Sequence, residues 1–175
     1  GTSGKGSVTT LIAAILTQAG QRTGHHFCPY VQVSTEKLML DGRRASAAEF
    51  VDLVREFRGL HERWLGLAGA GAGLSYSQAW MALAALWLAR ARVDWAVVEA
   101  QVGGRYDPSN VLPARLAVIT NVELDHVDVL GPTLTDIAWH KAGIIKARQA
   151  AVTAVTDPAA LGVLRDEARA REARL

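Results

Sequence analysis

Three short apolar runs constrain this chain more than any other feature. Trp95-Ala96-Val97-Val98 lacks the polar alternation of a half-solvated strand and is too short for a helix, so it reads as a strand buried on both sides. Residues 116–120 read the same way, and 151–155 read as a third strand. The segments between them repeat their apolar residues at helical spacing. Tyr76, Trp80, Leu83, Ala84, Trp87 and Leu88 share one face, and a helix is predicted over about 134–145. Strands that alternate with helices imply an α/β fold, a parallel sheet with helices on both faces. The chain has 175 residues, half of them apolar, which suits one α/β domain.

Charge and cysteine usage exclude other classes. Nineteen basic and 17 acidic residues leave a formal charge of +2 with no long basic run, so nucleic acid is not an expected partner. Cys28 is the single cysteine, which rules out an internal disulfide, and no apolar run approaches the roughly 20 residues of a membrane helix. The reading is a cytoplasmic monomer that does not engage a membrane.

Val8, Leu11, Ile12, Ile15, Leu16 and Ala19 form a helix that stops at Gly20. An extended stretch around 25–33 leads to a small hairpin turning at Asp41-Gly42. Ser46 and Glu49 make a capping box for a second helix through Trp64, and residues 66–73 read as a mobile loop. The charged, alanine-rich stretch 166–175 reads as helical with no capping glycine. The chain starts at Gly1 in a glycine-rich sequence that normally follows a buried strand, so a strand is expected upstream.

Gly1-Thr2-Ser3-Gly4-Lys5-Gly6-Ser7 opens the first helix. Glycines let backbone N–H groups converge, the helix N-terminus adds positive potential and a lysine adds full charge, so the segment reads as a phosphate site; a plain N-terminal loop is the alternative. Glu99 ends the run 95–98, at the carboxyl edge where parallel sheets hold ligands, and its carboxylate can hold magnesium against nucleotide phosphates or merely cap the strand in solvent. The loop from Val102 to Asn110 combines a glycine pair with Arg105, Asp107 and Asn110, and reads either as converging polar groups or as a turn cluster. His126 stands past the second strand as a metal ligand or as the hydrogen-bond partner of Asp125 or Asp128. Lys141 shares a face with Leu134, Ile137, Ala138 and Ile145. Burial there would lower its pKa and expose a free amine able to take up carbon dioxide as a carbamate; a stem snorkelling to solvent is the alternative.

Together the glycine loop, Glu99 with Gly103-Gly104-Arg105-Tyr106-Asp107, Leu124-Asp125-His126, and Ala138-Trp139-His140-Lys141-Ala142-Gly143-Ile144-Ile145 resemble the folylpolyglutamate synthase branch of the Mur ligase superfamily. The resemblance runs from Gly1 to about Val155. It implies a P-loop NTPase-like central domain and an ATP-dependent ligase that joins L-glutamate to the γ-carboxyl of a folate, or to dihydropteroate, through an acyl phosphate. It further implies that residues 1–175 are part of the ATP-binding domain, inactive alone, with the first strand and a C-terminal glutamate-binding domain lying outside them. Gly1, Thr2, Ser3, Gly4, Lys5, Gly6 and Ser7 would cradle ATP, and Ser7, Glu99, His126 and a carbamylated Lys141 would bind Mg2+. Lys141, His126 and Lys5 would be catalytic, and Arg105, Asp107, Pro108 and Asn110 would face the pterin.

The chain departs from the family pattern in three places. Cys28 stands where the family has a metal-binding serine, Ser77-Gln78 replaces Phe-Glu, and Gln101-Val102 replaces Gly-Leu. A thiol is a poor ligand for a hard cation. Two other readings fit the same motifs: a nucleotide-binding domain without catalysis, and a Mur-type ligase of different substrate.

Overall fold

The computed structural model describes residues 3–69 and 71–175; Gly1, Thr2 and Ala70 lie outside the described residues. The chain divides into two compact units, one formed by Ala100–Leu175 with the segment ending at Val8, the other by Thr9–Glu99. The boundary falls inside the first helix, α1 (Lys5–Gln18).

The unit Thr9–Glu99 is built on a four-stranded sheet of order β3-β2-β1-β4. Strands β1 (Thr23–His26) and β4 (Trp95–Val98) run parallel, with His25 opposite Val97 and His26 opposite Val98. The hairpin β2 (Met39–Leu40) and β3 (Arg43–Arg44) adds two antiparallel strands through the expected Asp41-Gly42 turn, in which both residues take positive φ. Helix α2 (Ala47–Ala68) starts at the expected capping box, where Ser46 Oγ accepts the Glu49 N–H and the Glu49 carboxylate accepts the Ser46 N–H. The carboxyl of Glu49 is held down to about 2, first by the Arg43 guanidinium and then by Ser46. Helix α3 (Tyr76–Ala91) repeats the device with Ser75 and Gln78, so the residue that departs from the family pattern serves as a cap. Leu38, Leu53, Trp80, Leu83, Trp87 and Leu88 form the core of this unit.

The other unit has the smaller sheet. Strands β5 (Leu116–Ile119) and β6 (Ala150–Thr153) pair in parallel, and helices α4 (Val127–Leu130), α5 (Leu134–Ala142) and α6 (Pro158–Ala170) complete it. Its core gathers Ile119, Val122, Ile137, Ala138, Ile145, Ala160 and Leu164, with Ile137 and Leu164 fully buried. Asp157 caps α6, its carboxylate accepting the Ala160 N–H, and Pro158 takes the first helical position.

Five expectations are corrected. Strand β5 is not buried on both sides, for Leu116 is 46% exposed. Strand β4 is not buried on both sides: Trp95 is 38% exposed and Ala96 is exposed, because β4 pairs with β1 on one side only and the Trp95 indole N–H reaches Gln21 at the surface. Helix α2 runs past Gly66 to Ala68, so the loop is shorter than residues 66–73. Helix α5 stops at Ala142, three residues early, since Gly143 and Ile144 turn the chain. Helix α6 ends at Ala170, and Arg174 returns to bridge Ala150 instead of extending the helix. No helix among the described residues is long and apolar enough to cross a membrane.

Candidate functional site

In the unit of Ala100–Leu175 with the N-terminal segment, the glycine loop delivers the chain into α1 as its composition requires. Gly4 takes φ +71°, where a side chain would be strained, and the helix begins at Lys5 with the Val8 N–H donating to the Gly4 carbonyl (3.0 Å). No acidic residue occupies the first turn, so nothing opposes the positive end of the helix. The Lys5 ammonium lies 3.4 Å from Ser3 Oγ, and Ser7 is exposed. Ser3 and Gly4 thus form the turn and Lys5, Gly6 and Ser7 the start of α1; Gly1 and Thr2 lie outside the described residues.

Lys141 belongs to the same unit. Its helix α5 buries Ile137, Ala138 and Ala142, and the lysine itself is half-buried on the flank of that face. Burial first, and then the charge of Lys5, push its amine below the ordinary lysine value, while Asp125 and Glu123 pull the other way. Two cations and two carboxylates therefore share one electrostatic neighbourhood. The lysines were legible as separate motifs; the part of Glu123 was not, because it stands 18 positions from Lys141 in a loop with no periodicity.

His126 caps α4 in a left-handed conformation (φ 52°), just past β5. Its side chain is half exposed and its Nε2 stands 3.8 Å from Asp125 Oδ1. Among the described residues no three His, Cys, Asp or Glu side chains cluster into a metal cage. Glu99, in the other unit, is buried at the end of β4, where its Oε2 accepts the Cys28 N–H (3.0 Å) and its own N–H donates to the His26 carbonyl (2.9 Å). That places it at the carboxyl edge, as expected.

The loop 102–110 turns its polar groups inward. Asp107 is buried: one oxygen accepts the N–H groups of Gln101 and Val102, and the other accepts the N–H and hydroxyl of Ser109, capping the 3-10 turn Pro108–Val111. Asn110 donates to the carbonyls of Arg105 and Gly143 and accepts from the Lys146 ammonium. Arg105 pairs with Glu167 (2.6 Å), donates to the Trp139 carbonyl and stacks on the Trp139 ring at 4.0 Å. Tyr106 stays exposed, edge-on to His140. Glu167 was invisible as a partner of Arg105, lying 62 residues away.

Gly143 shows why α5 and this loop meet so closely. A methyl group there would overlap the Cα, Cβ and Cγ of Arg105. Gly143→Ala is expected to cost about 1–3 kcal/mol through overpacking, read as a lower urea midpoint, and an unchanged midpoint would show that Arg105 can step aside freely.

A glycine loop that opens a helix and a carboxylate that ends a strand are thus set on an α/β fold. The chain belongs to the Mur ligase family, matching the Mur ligase middle domain over residues 1–173. It is similar to the dihydrofolate synthase/folylpolyglutamate synthase of Bacillus subtilis, 38% identical over 96% of this chain and 39% of that protein. A Mycobacterium tuberculosis folylpolyglutamate synthase complexed with ADP and AMPPCP aligns with a TM-score of 0.91 at 36% identity, over 98% of this chain and 40% of that one. A folylpolyglutamate synthase complex with AMPPCP and folate aligns at 0.93 and 33% identity, over 98% and 42%. The chain spans about two fifths of the length of these relatives.

Proposed function

We propose that the full-length protein is an ATP-dependent ligase that joins L-glutamate to the γ-carboxyl of a folate, or to dihydropteroate, through an acyl phosphate. The observation that carries this reading is Lys141. A half-buried lysine whose amine is pushed below the ordinary value by burial and by Lys5, against the pull of Asp125 and Glu123, suits an acid-activating site.

In this reading the N–H groups at the start of α1 and the Lys5 ammonium hold the phosphates of ATP, and the substrate carboxylate attacks the terminal phosphorus while ADP leaves with the bonding pair. The free amino group of glutamate then attacks the acyl carbon, phosphate leaves with the bonding pair, and the nitrogen gives up one proton to solvent. Negative charge grows on oxygen in both steps, and preorganised cations lower its energy. Lys141 takes up carbon dioxide through its nitrogen lone pair, releases one proton to solvent and becomes an anionic oxygen ligand. Ser7 and Glu99 are hard oxygen donors suited to Mg2+; His126 adds a nitrogen donor, and Cys28 gives the Glu99 carboxylate a backbone N–H where the family has a serine ligand. A bound magnesium would supply charge to the phosphate oxygens. Pro108 and the exposed Tyr106 are the parts of the loop 102–110 left to meet a pterin, with Arg105, Asp107 and Asn110 holding its shape.

The test uses the full-length protein with ATP, magnesium, L-glutamate and tetrahydrofolate or dihydropteroate. Mass spectrometry is expected to find an acid heavier by one glutamyl unit. No product from either acid, with ATP binding verified, would replace the ligase by a nucleotide-binding domain without this catalysis.

A further inference from the structure

The unit Thr9–Glu99 holds a cation that the proposed chemistry does not use. Lys37 ends the short 3-10 turn Ser34–Lys37 and is only 3% exposed. Its Nζ lies 4.7 Å from the ring centroid of Trp80, 5.2 Å from that of Tyr76 and 5.6 Å from that of Tyr30. Tyr76 and Trp80 stand one turn apart on α3, and Tyr30 comes from the loop after β1. Among the described residues the ammonium makes no hydrogen bond and no ion pair. Ring faces attract its charge but accept none of its three N–H donors in the ordinary way. A buried charge lacking hydrogen-bonded partners is costly, and a methionine would fill the same space without that cost.

The surroundings show where a partner would arrive. Trp80 is buried and stacked on Phe50 (5.8 Å between ring centroids), so it backs the cage, whereas Tyr30 and Tyr76 are 42% and 67% exposed and open to solvent. The lysine backbone is pinned, since the His26 Nδ1–H donates to the Lys37 carbonyl (2.8 Å). His26 is the last residue of β1 and its own carbonyl accepts the Glu99 N–H, which puts the cage at the carboxyl edge of this sheet.

The geometry points to Lys37 as the docking cation for a carboxylate carried on an aromatic body, with the rings of Tyr30 and Tyr76 flanking that body. The ligand's identity as the acid substrate rests on the ligase reading; the site itself does not. The carboxylate takes the unspent N–H donors, and the exposed tyrosines supply aromatic contact that a bare anion cannot use.

The test titrates the full-length protein with 4-aminobenzoyl-L-glutamate by calorimetry. Lys37→Met is expected to weaken binding about tenfold or more, and Lys37→Arg, which keeps charge and ring stacking, to stay within about threefold. Tyr76→Leu, at an exposed position on α3, removes one flanking ring without altering the buried charge and is expected to weaken binding about threefold to tenfold. In turnover, Lys37→Met raises the KM of the acid substrate and leaves the KM of ATP unchanged. Equal binding by wild type and Lys37→Met, or no effect of Tyr76→Leu, overturns the proposal. Displacement of the probe by an equal concentration of inorganic phosphate also overturns it. Wild-type protein that binds the probe through Lys37 but forms no glutamyl product upholds the docking site and sinks the ligase reading.

Discussion

Lys141→Ala in the full-length protein is expected to lower the rate of glutamate addition by about 10²-fold or more, with ATP still bound. Removing one preorganised charge from an acyl-transfer site typically has an effect of that order. The same lysine predicts a second signal that does not depend on turnover. Its depressed amine pKa leaves more of the nucleophilic free form near neutral pH than an exposed lysine has, so wild-type protein should take up labelled bicarbonate at this position. Uptake should rise with pH as the ammonium gives up its proton, and it should vanish in Lys141→Ala and in Lys141→Arg. Full activity in the alanine variant would remove Lys141 from the chemistry; activity lost without any carbamate signal would leave it a role as a bare cation.

Glu167→Ala is expected to destabilise the protein by about 3 kcal/mol, because it strips a partly buried carboxylate from Arg105 and leaves the guanidinium with only the Trp139 carbonyl and ring. Arg171 loses its partner too, but that pair is half exposed on the arginine side and adds little. Burial alone would raise the Glu167 carboxyl, yet the hydrogen bonds from Arg105 and Arg171 prevail and hold it below the ordinary value. A carboxyl depressed in the folded state contributes stability above its unfolded pKa and loses it as pH falls through the folded one. The wild type should therefore lose this contribution below about pH 4.5, and Glu167→Ala should show a flatter acid limb in urea unfolding. Equal midpoints for wild type and variant at neutral pH would show the pair to be worth nothing. Arg105→Ala separates structure from recognition: a fall in stability with an unchanged KM for the acid marks Arg105 as a holder of the loop.

Much of this was legible from residue order. Periodicity located α1, α2, α3 and α5, while α6 was read only from its charged, alanine-rich end, and the capping pair Ser46 and Glu49 stands where a serine followed three residues later by glutamate places it. The glycine loop was readable as the opening of α1, where Gly4 takes a positive φ that favours glycine. The failures were at boundaries and at edges. Trp95 to Val98 looked like a doubly buried strand because hydrophobicity marks a preference for burial, while the actual exposure of Trp95 depends on which neighbours pair with it.

Sequence by itself determined the α/β alternation, the starts of α1 and α2, the glycine loop and the family, since each rests on interactions among residues a few positions apart or on motifs kept in order. Tertiary structure alone decided what the side chains of those motifs touch. It spent Arg105, Asp107 and Asn110 on the loop's own framework, set Glu123, Asp125 and Lys5 around Lys141, and enclosed Lys37 in three rings drawn from two segments. Charge and hydrogen-bonding capacity are written in residue type, but whether they face a partner within the chain or remain for a ligand depends on contacts between distant segments, which only folding creates.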